Sequence, residues 1–196
     1  CRKVKLLSTF FISPAHKNMN KTKLLDQSSI NKTITRLSHE IIEGSGDFDN
    51  VAIIGIRTRG EVIASRIKSI IDKKINISLK YGTLDVTFHR DDFLTNLGSP
   101  KIGPSDITID LNGLNIILID DVLYTGRTIR AAMNELFSYG RPSSIQLCVL
   151  VDRGHRELPI KANYIGKNLP TSHNEHIYVH VEEIDGLDEI FMRKFK

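Results

Sequence analysis

Apolar residues along the chain form two kinds of pattern, namely stripes spaced by three or four positions and short continuous runs. The first stripe predicts an amphipathic helix that begins near Leu25, and its apolar positions are Ile30, Ile34, Leu37 and Ile41. Asp26 or Ser28 is suited to cap this helix. The first run, residues 51–56, is short and rich in β-branched residues, which predicts a strand buried on both faces.

The same two patterns alternate further along the chain. Helices are predicted over residues 61–71 and 128–139, and strands over residues 78–88, 115–119 and 144–151. This β-α-β-α-β order predicts an α/β fold with three layers and a central parallel sheet, in which ligands bind at the carboxyl ends of the strands.

Two further segments interrupt this order. Residues 89–107 are polar and too long for an ordinary connection, so we expect a flexible lid loop there. Beyond residue 152 no further helix is predicted, and short strands at 164–165 and 177–181 indicate a small hood over about 152–185.

The composition is that of one globular domain, which we expect to span residues 19–196. Of the 196 residues, 40% are hydrophobic and 26% are charged, and no run reaches the roughly 18 apolar residues of a membrane helix. The two cysteines are too few for a disulfide framework or a zinc site, and Cys148 lies within an apolar run. A reducing, cytoplasmic location fits this usage best.

The net charge of +4 comes from the beginning of the chain. Residues 1–23 contain six basic residues and no acidic one, so the rest of the chain has no basic excess. We expect residues 1–18 to be a leader or upstream extension that is disordered and outside the fold, with Met19 as the natural start. A partner that is an anion must therefore be recognised by local clusters of charge.

The strongest chemical signal follows the strand at 115–119. Two acids, Asp120 and Asp121, stand at its carboxyl end, and a turn containing Gly126 leads into the next helix. Unpaired N–H groups at a helix start bind phosphate, and the hydroxyls of Thr125 and Thr128 add donors. Adjacent carboxylates repel a polyphosphate but suit sugar hydroxyls, so the predicted ligand is a ribose 5-phosphate unit. The alternative, two acids that cap an ordinary helix, requires all these residues to coincide.

A second signal lies at residues 55–60, where another strand gives way to a helix. Arg57 and Arg59 flank Thr58 between two glycines, and two guanidinium groups in such a turn suit pyrophosphate. By itself this segment is better interpreted as a basic helix start, and its equivalent position on a neighbouring strand is what favours the functional interpretation. The chain has neither the Gly-Lys-Ser/Thr loop of nucleotide hydrolases nor the Gly-x-Gly-x-x-Gly turn of dehydrogenases.

Three motifs resemble a known family. Residues 120–128 (DDVLYTGRT) resemble the phosphoribosyl pyrophosphate (PRPP) motif of type I phosphoribosyltransferases. With residues 140–147 (GRPSSIQL) and 151–159 (VDRGHRELP), the chain is similar to the PyrR family of pyrimidine-operon attenuation regulators, which are also uracil phosphoribosyltransferases. The resemblance runs from about residue 25 to 185. It implies a type I phosphoribosyltransferase-like fold and self-association.

The resemblance also implies ligands and site residues. PRPP, uracil and UMP are the expected ligands, with Mg²⁺ carried by PRPP and no metal bound directly by the protein. Catalysis is assigned to Asp120, Asp121 and, in the lid, Arg90. Hood residues around the uracil ring are Arg153 and Ile177. The PRPP contacts are Arg57, Thr58 and Arg59, with a cis Arg57–Thr58 peptide, and Thr125, Gly126, Arg127 and Thr128.

One position departs from the family's pattern. His89 stands in the lid where the family has tyrosine, which bears on catalytic strength; it is equally a solvated loop residue. The histidines at 173, 176 and 180 invite a metal site, but two of them alternate on the polar side of a strand without a completing ligand.

A regulatory surface is predicted on the first helix. Lys32, Arg36 and His39 lie opposite its apolar stripe, a pattern that by itself is more typical of a solvated face. The resemblance implies that the partner is an mRNA leader hairpin, contacted by Thr35, Arg36, His39, His155, Arg156, Lys161 and Lys167. Lys161 stands where the family has arginine, which replaces a planar fork by a point charge.

Three functions therefore remain open. The first is uracil phosphoribosyltransfer combined with UMP-dependent regulation of pyrimidine operons. The second is an RNA-binding attenuator that senses uridine nucleotides and has weak activity. The third is a phosphoribosyltransferase for another base, since residues 120–128 would serve purines equally well.

Overall fold

A computed structural model describes residues 21–86 and 105–195 of the chain. The extension expected at 1–18, Arg90, His89 and most of the expected lid at 89–107 lie outside these residues. None of the helices in the described ranges is long and apolar enough to cross a membrane.

The central sheet has five parallel strands and confirms the predicted α/β fold. Its order is β3-β2-β4-β5-β6. The strands are β2 (Val51–Ile56), β3 (Lys80–Leu84), β4 (Asn115–Leu123), β5 (Ser144–Asp152) and β6 (Tyr164–Asn168). All six residues of β2 are buried, as expected for a strand covered on both faces.

Helices cover the two faces of this sheet and give the three predicted layers. One face packs against α1 (Gln27–Gly44) and α2 (Arg59–Ile75), whose stripes meet the side chains of Ile53 and Ile117. The other face packs against α3 (Arg127–Leu136), whose buried residues meet Ile54 and Leu118. A turn of 3₁₀-helix, Phe137–Tyr139, ends the third helix before Gly140 at φ 141°.

A second sheet has three antiparallel strands in the order β1-β8-β7. They are β1 (Lys21–Asp26), β7 (Glu175–His180) and β8 (Glu189–Lys194), and a short helix α4 (Glu182–Asp185) joins the last two. Of the range 152–185 expected for the hood, only β7 belongs to this sheet. The sequence did not predict β1, which forms because residues 21–26 pair with β8, and the predicted first helix begins directly after it at Gln27.

Candidate active site

The two acids lie at the carboxyl end of β4, the central strand of the parallel sheet. Asp120 and Asp121 are only 3% and 7% exposed. Oδ1 of Asp120 accepts a hydrogen bond from the backbone N of Asp121, and Oδ1 of Asp121 accepts one from the backbone N of Val122, both at 2.9 Å. These local bonds fix the orientation of each carboxylate near the carboxyl end of β4.

The predicted phosphate loop follows directly. Gly126 caps α3 with φ 93°, a left-handed conformation that favours glycine. A Cβ at this position would also lie 3.3 Å from Cδ1 of Ile160. Thr125 is buried, and its Oγ1 accepts a hydrogen bond from the backbone N of Arg127 at 3.2 Å. Thr128, in the first turn of α3, is half-buried, so the turn and helix start come together as predicted.

The loop with the two arginines meets the acids across the sheet. It follows β2, and the Arg57–Thr58 peptide is cis, as the resemblance implied. The backbone N of Arg57 donates to the carbonyl of Leu84 at 2.8 Å, which ties the loop to β3. A Cβ on Gly60 would lie only 2.8 Å from the carbonyl oxygen of Ile119 and 3.0 Å from Cα of Asp120. Glycine at 60, in the first turn of α2, therefore permits the start of this helix to lie against the strand that carries the acids.

Each arginine of this loop faces a carboxylate. Nε of Arg57 lies 3.2 Å from Oε2 of Glu61, in the next turn of α2. Arg59 donates with Nε to Oδ2 of Asp185 at 3.0 Å and with Nη2 to Oδ1 at 2.7 Å. Burial raises the pKa of Asp185, but the bonds from Arg59 and from the backbone N of Val181 outweigh it, so the pKa is lowered.

Sequence reasoning missed Asp185. It lies 126 positions from its partner in the chain, and no motif marks it. The only signal is the acidic run of residues 182–188, which by itself is typical of a solvated turn.

Arg153 connects the phosphate loop to the second sheet. Its guanidinium carbon lies 3.9 Å from the centre of the Tyr124 ring, close enough for a cation–π contact. Its Nη2 donates to the carbonyl of Glu175 at 2.7 Å, the first residue of β7. Arg153 is 5% exposed, and burial lowers its pKa. Ile177 lies two residues further on the same strand and is half-buried against the core.

The residues expected to contact RNA divide into two groups. Thr35, Arg36, His39, Lys161 and Lys167 are exposed. Nη2 of Arg36 donates to the carbonyls of Ile165 and Gly166 at 3.0 and 2.6 Å, which brings α1 beside β6 and its Lys167. His155 and Arg156 are half-buried, and the guanidinium of Arg156 is engaged within the protein.

Among residues 21–86 and 105–195, no three His, Cys, Asp or Glu side chains are arranged to hold a metal ion.

Arg127 pairs with Glu157, its Nε lying 2.7 Å from Oε2, on the exposed side of the helix start. Cys148 is buried in the core, and burial raises the pKa of its thiol.

Known proteins resemble this chain in sequence and in fold. The family model for the phosphoribosyl transferase domain matches residues 20–183. A bifunctional protein PyrR of Enterococcus faecalis is 46% identical over 176 residues, covering 90% of this chain and 98% of that protein. One of Fusobacterium nucleatum is 46% identical over 167 residues, covering 85% and 94%. A hypoxanthine phosphoribosyltransferase of Staphylococcus aureus superposes with a TM-score of 0.65 at 20% identity, covering 91% and 94%; it shares the fold.

Proposed function

The chain belongs to the phosphoribosyltransferase family and, within it, to the bifunctional PyrR proteins, and from this premise we propose that it transfers a phosphoribosyl group to uracil. The reaction consumes uracil and PRPP and yields UMP and pyrophosphate. The protein also regulates pyrimidine operons by binding an mRNA leader hairpin when UMP is bound.

One observation carries the enzymatic part, the contact between the first turn of α2, which follows the arginine loop, and β4, which carries the two acids. Gly60 touches the backbone of Asp120, so the loop for pyrophosphate and the carboxylates for ribose adjoin. The phosphate loop begins within five residues of the same acids, at Thr125. A sugar that carries a 5-phosphate at one end and pyrophosphate at the other needs this order of groups.

The reacting bond joins the anomeric carbon of the ribose to pyrophosphate. When that bond breaks, positive charge develops on the sugar ring, and the carboxylates of Asp120 and Asp121 stabilise it while they hold the ribose hydroxyls. Arg57, Thr58 and Arg59 receive the leaving pyrophosphate. Thr125, Gly126, Arg127 and Thr128 hold the 5-phosphate, so the sugar stays in place while the base nitrogen attacks. The reaction needs no covalent intermediate with the protein.

Two elements complete the proposed site. Arg153 and Ile177 approach the base from the hood, on the side where Arg153 already contacts Tyr124. The lid at 89–107, with Arg90 as its contact to pyrophosphate, excludes water, so that the activated sugar meets uracil instead of being hydrolysed. Mg²⁺, carried by PRPP, would neutralise the charge of pyrophosphate between the arginine loop at 57–59 and the acids at 120 and 121.

The regulatory part rests on the contact between α1 and β6. Arg36 joins these elements through the carbonyls of Ile165 and Gly166, so Thr35 and His39 share one side of the molecule with Lys167. Exposed basic residues on such a surface neutralise RNA phosphates, and sequence-specific readers bind bases exposed in hairpin loops.

The enzymatic proposal is tested by assaying [¹⁴C]uracil, guanine and hypoxanthine with PRPP and Mg²⁺. Of the three bases, we expect only uracil to give product. In Asp121→Asn we expect turnover to fall about 100-fold, since a group that stabilises charge in the transition state is lost. Asp49→Asn is the matched control, because Asp49 is exposed at the opposite end of β2. Product from a purine, or unchanged turnover in Asp121→Asn, contradicts the proposal.

The regulatory proposal is tested separately by filter binding of the organism's own pyrimidine-operon leader RNA, with and without UMP. We expect tighter binding with UMP, and a weaker salt dependence in Lys167→Gln because one phosphate contact is lost. Binding that ignores UMP, or no binding at all, overturns the regulatory function and leaves the enzymatic one standing.

A further inference from the structure

We propose that Arg156 is a positioning residue for the phosphate loop, and that it acts by binding the backbone carbonyls of that loop. The inference rests on the proposed function, which assigns residues 125–128 to the 5-phosphate of PRPP. The family resemblance implies that Arg156 contacts RNA. The positioning role and the RNA contact predict different results for the same variants.

The contacts of Arg156 account for each nitrogen of its guanidinium. Nη1 donates to the carbonyl of Tyr124 at 2.6 Å and lies 3.3 and 3.1 Å from those of Leu123 and Gly154. Nε donates to the carbonyl of Ile160 at 3.1 Å. Nη2 forms an ion pair with the carboxylate of Asp152. A guanidinium has five N–H donors in a rigid fork, and here all three nitrogens are directed into the protein.

Neighbouring residues hold the next carbonyl of the loop in the same way. The carbonyl of Thr125 accepts hydrogen bonds from the backbone N of Glu157 at 3.0 Å and of Leu158 at 3.2 Å. The carbonyl of Leu123 also accepts one from the backbone N of Arg153 at 3.1 Å. Three consecutive carbonyls, those of residues 123, 124 and 125, are thus bound by the segment 153–158.

These bonds orient the opposite side of the loop. In a planar trans peptide the C=O of one residue and the N–H of the next point in opposite directions. When the carbonyls of Leu123, Tyr124 and Thr125 are bound on one side, the N–H groups of Tyr124, Thr125 and Gly126 are directed to the other side. Phosphate loops bind their ligand through backbone N–H groups arranged in this way. By binding the carbonyls, Arg156 therefore fixes the direction of the N–H groups that bind the phosphate, although it does not contact the phosphate itself.

Only an arginine has the geometry for this role. A lysine at 156 retains the positive charge beside Asp152 but has a single nitrogen, which does not reach Tyr124 and Ile160 in a fixed fork. The change Arg156→Lys therefore separates positioning from charge. An RNA phosphate contact tolerates lysine, whereas the carbonyl network does not.

The test compares steady-state kinetics of wild type, Arg156→Lys and Arg156→Gln, with PRPP and uracil varied in turn. We expect KM for PRPP to rise about tenfold in both variants and KM for uracil to change less than about twofold, since roughly one charged hydrogen bond is lost at the phosphate loop. Addition of methylguanidinium to Arg156→Gln should recover part of the PRPP affinity. Arg141→Gln is the matched control, because Arg141 is exposed before β5 at the other end of the sheet.

Binding of PRPP by calorimetry and of leader RNA by filter assay completes the test. Weaker PRPP binding in Arg156→Lys supports the proposal even if the wild-type protein does not turn over uracil. The role of Arg156 can therefore be tested separately from the proposed uracil phosphoribosyltransferase activity. Unchanged PRPP binding in Arg156→Lys overturns it, whether RNA binding falls or not. The lysine variant keeps a charge beside Asp152, so the test also stands if Arg156→Gln does not fold.

Discussion

The central sheet and the second sheet are held by different forces. In the central sheet, β2 and the middle of β4 are buried throughout and packed between α1 and α2 on one side and α3 on the other. The second sheet packs against the same core through residues such as Val179 and Ile190.

Ion pairs fix the connection between β7 and β8 to the rest of the molecule. Arg59 binds Asp185, and Arg66 binds both Glu183 and Asp188. The central sheet should therefore respond to changes in volume, and the second sheet to charge, pH and salt. Because Arg59 belongs to the proposed pyrophosphate loop, the region held by charge is also connected to the site.

The largest effect is expected from Gly60→Ala, a change in volume where α2 meets the central sheet. A Cβ there would lie 2.8 Å from the carbonyl oxygen of Ile119 and 3.0 Å from Cα of Asp120, and neither backbone atom moves easily. We expect a loss of about 3 kcal/mol in the free energy of unfolding. Activity should fall about 100-fold, because the loop shifts relative to the acids. Urea unfolding and the uracil assay measure the two effects.

Gly46→Ala is the control for this variant, because a Cβ at Gly46 meets nothing within 4 Å. The loss in Gly60→Ala should be the same in low and high salt, since its cause is steric. A variant as stable as wild type would mean that the contact between α2 and β4 is looser than the structure shows.

The same contrast explains how much of the fold the sequence predicts. The strand Val51–Ile56 and the helical stripe from Ile30 to Ile41 follow from local apolar patterns, and Asp26 does cap α1 by accepting from the backbone N of Ser29 at 2.9 Å. The strand β1 has no such signal. Its formation depends on pairing with β8, in which Arg193 lies opposite Lys21 although the two residues are near opposite ends of the sequence. Local patterns do not encode such distant partners.

The residues of the candidate site differ in the same way, since some of their roles follow from local sequence and others depend on distant partners. Asp120, Asp121 and Gly126 are consecutive with the strand and helix that position them, so their arrangement follows from the sequence. The roles of Asp185 and Arg156 do not, because their partners are a side chain 126 positions away and backbone carbonyls. A basic side chain that binds carbonyls has the same sequence signature as one that faces solvent.

The second effect in size is expected from Asp188→Asn, which removes a charge from the second sheet. The side chain of Asp188 is 2% exposed, and both of its oxygens accept from Arg66 at 2.8 Å. Arg66 retains Glu183, so we expect a loss of about 2 kcal/mol at pH 7, measured by urea unfolding. Asp49→Asn should lose almost nothing, because Asp49 is exposed just before β2 of the central sheet.

This loss should depend on pH. Burial raises the pKa of Asp188, but the hydrogen bonds from Arg66 and from the backbone N of Glu182 lower it more, so the net pKa is below its ordinary value. The unfolded chain then binds a proton more readily, and the stabilisation is present above the unfolded pKa of about 3.9. It is lost as the pH falls through the lower, folded value. A difference between wild type and Asp188→Asn that grows on acidification would contradict this interpretation.

The smallest effect is expected from Lys21→Met, which removes a charge at the edge of the same sheet. Lys21 pairs with Glu189 and lies 4.2 Å from the centre of the Phe191 ring, but its side chain is 43% exposed, and methionine keeps the apolar stem over that ring. Water screens such a pair, so we expect a loss below about 1 kcal/mol that disappears in 1 M KCl. Asp188→Asn should keep most of its deficit in the same salt, because its carboxylate is buried. If both deficits vanish together, burial does not separate these two ion pairs, and salt screens the pair of Asp188 with Arg66 as fully as the exposed pair of Lys21 with Glu189.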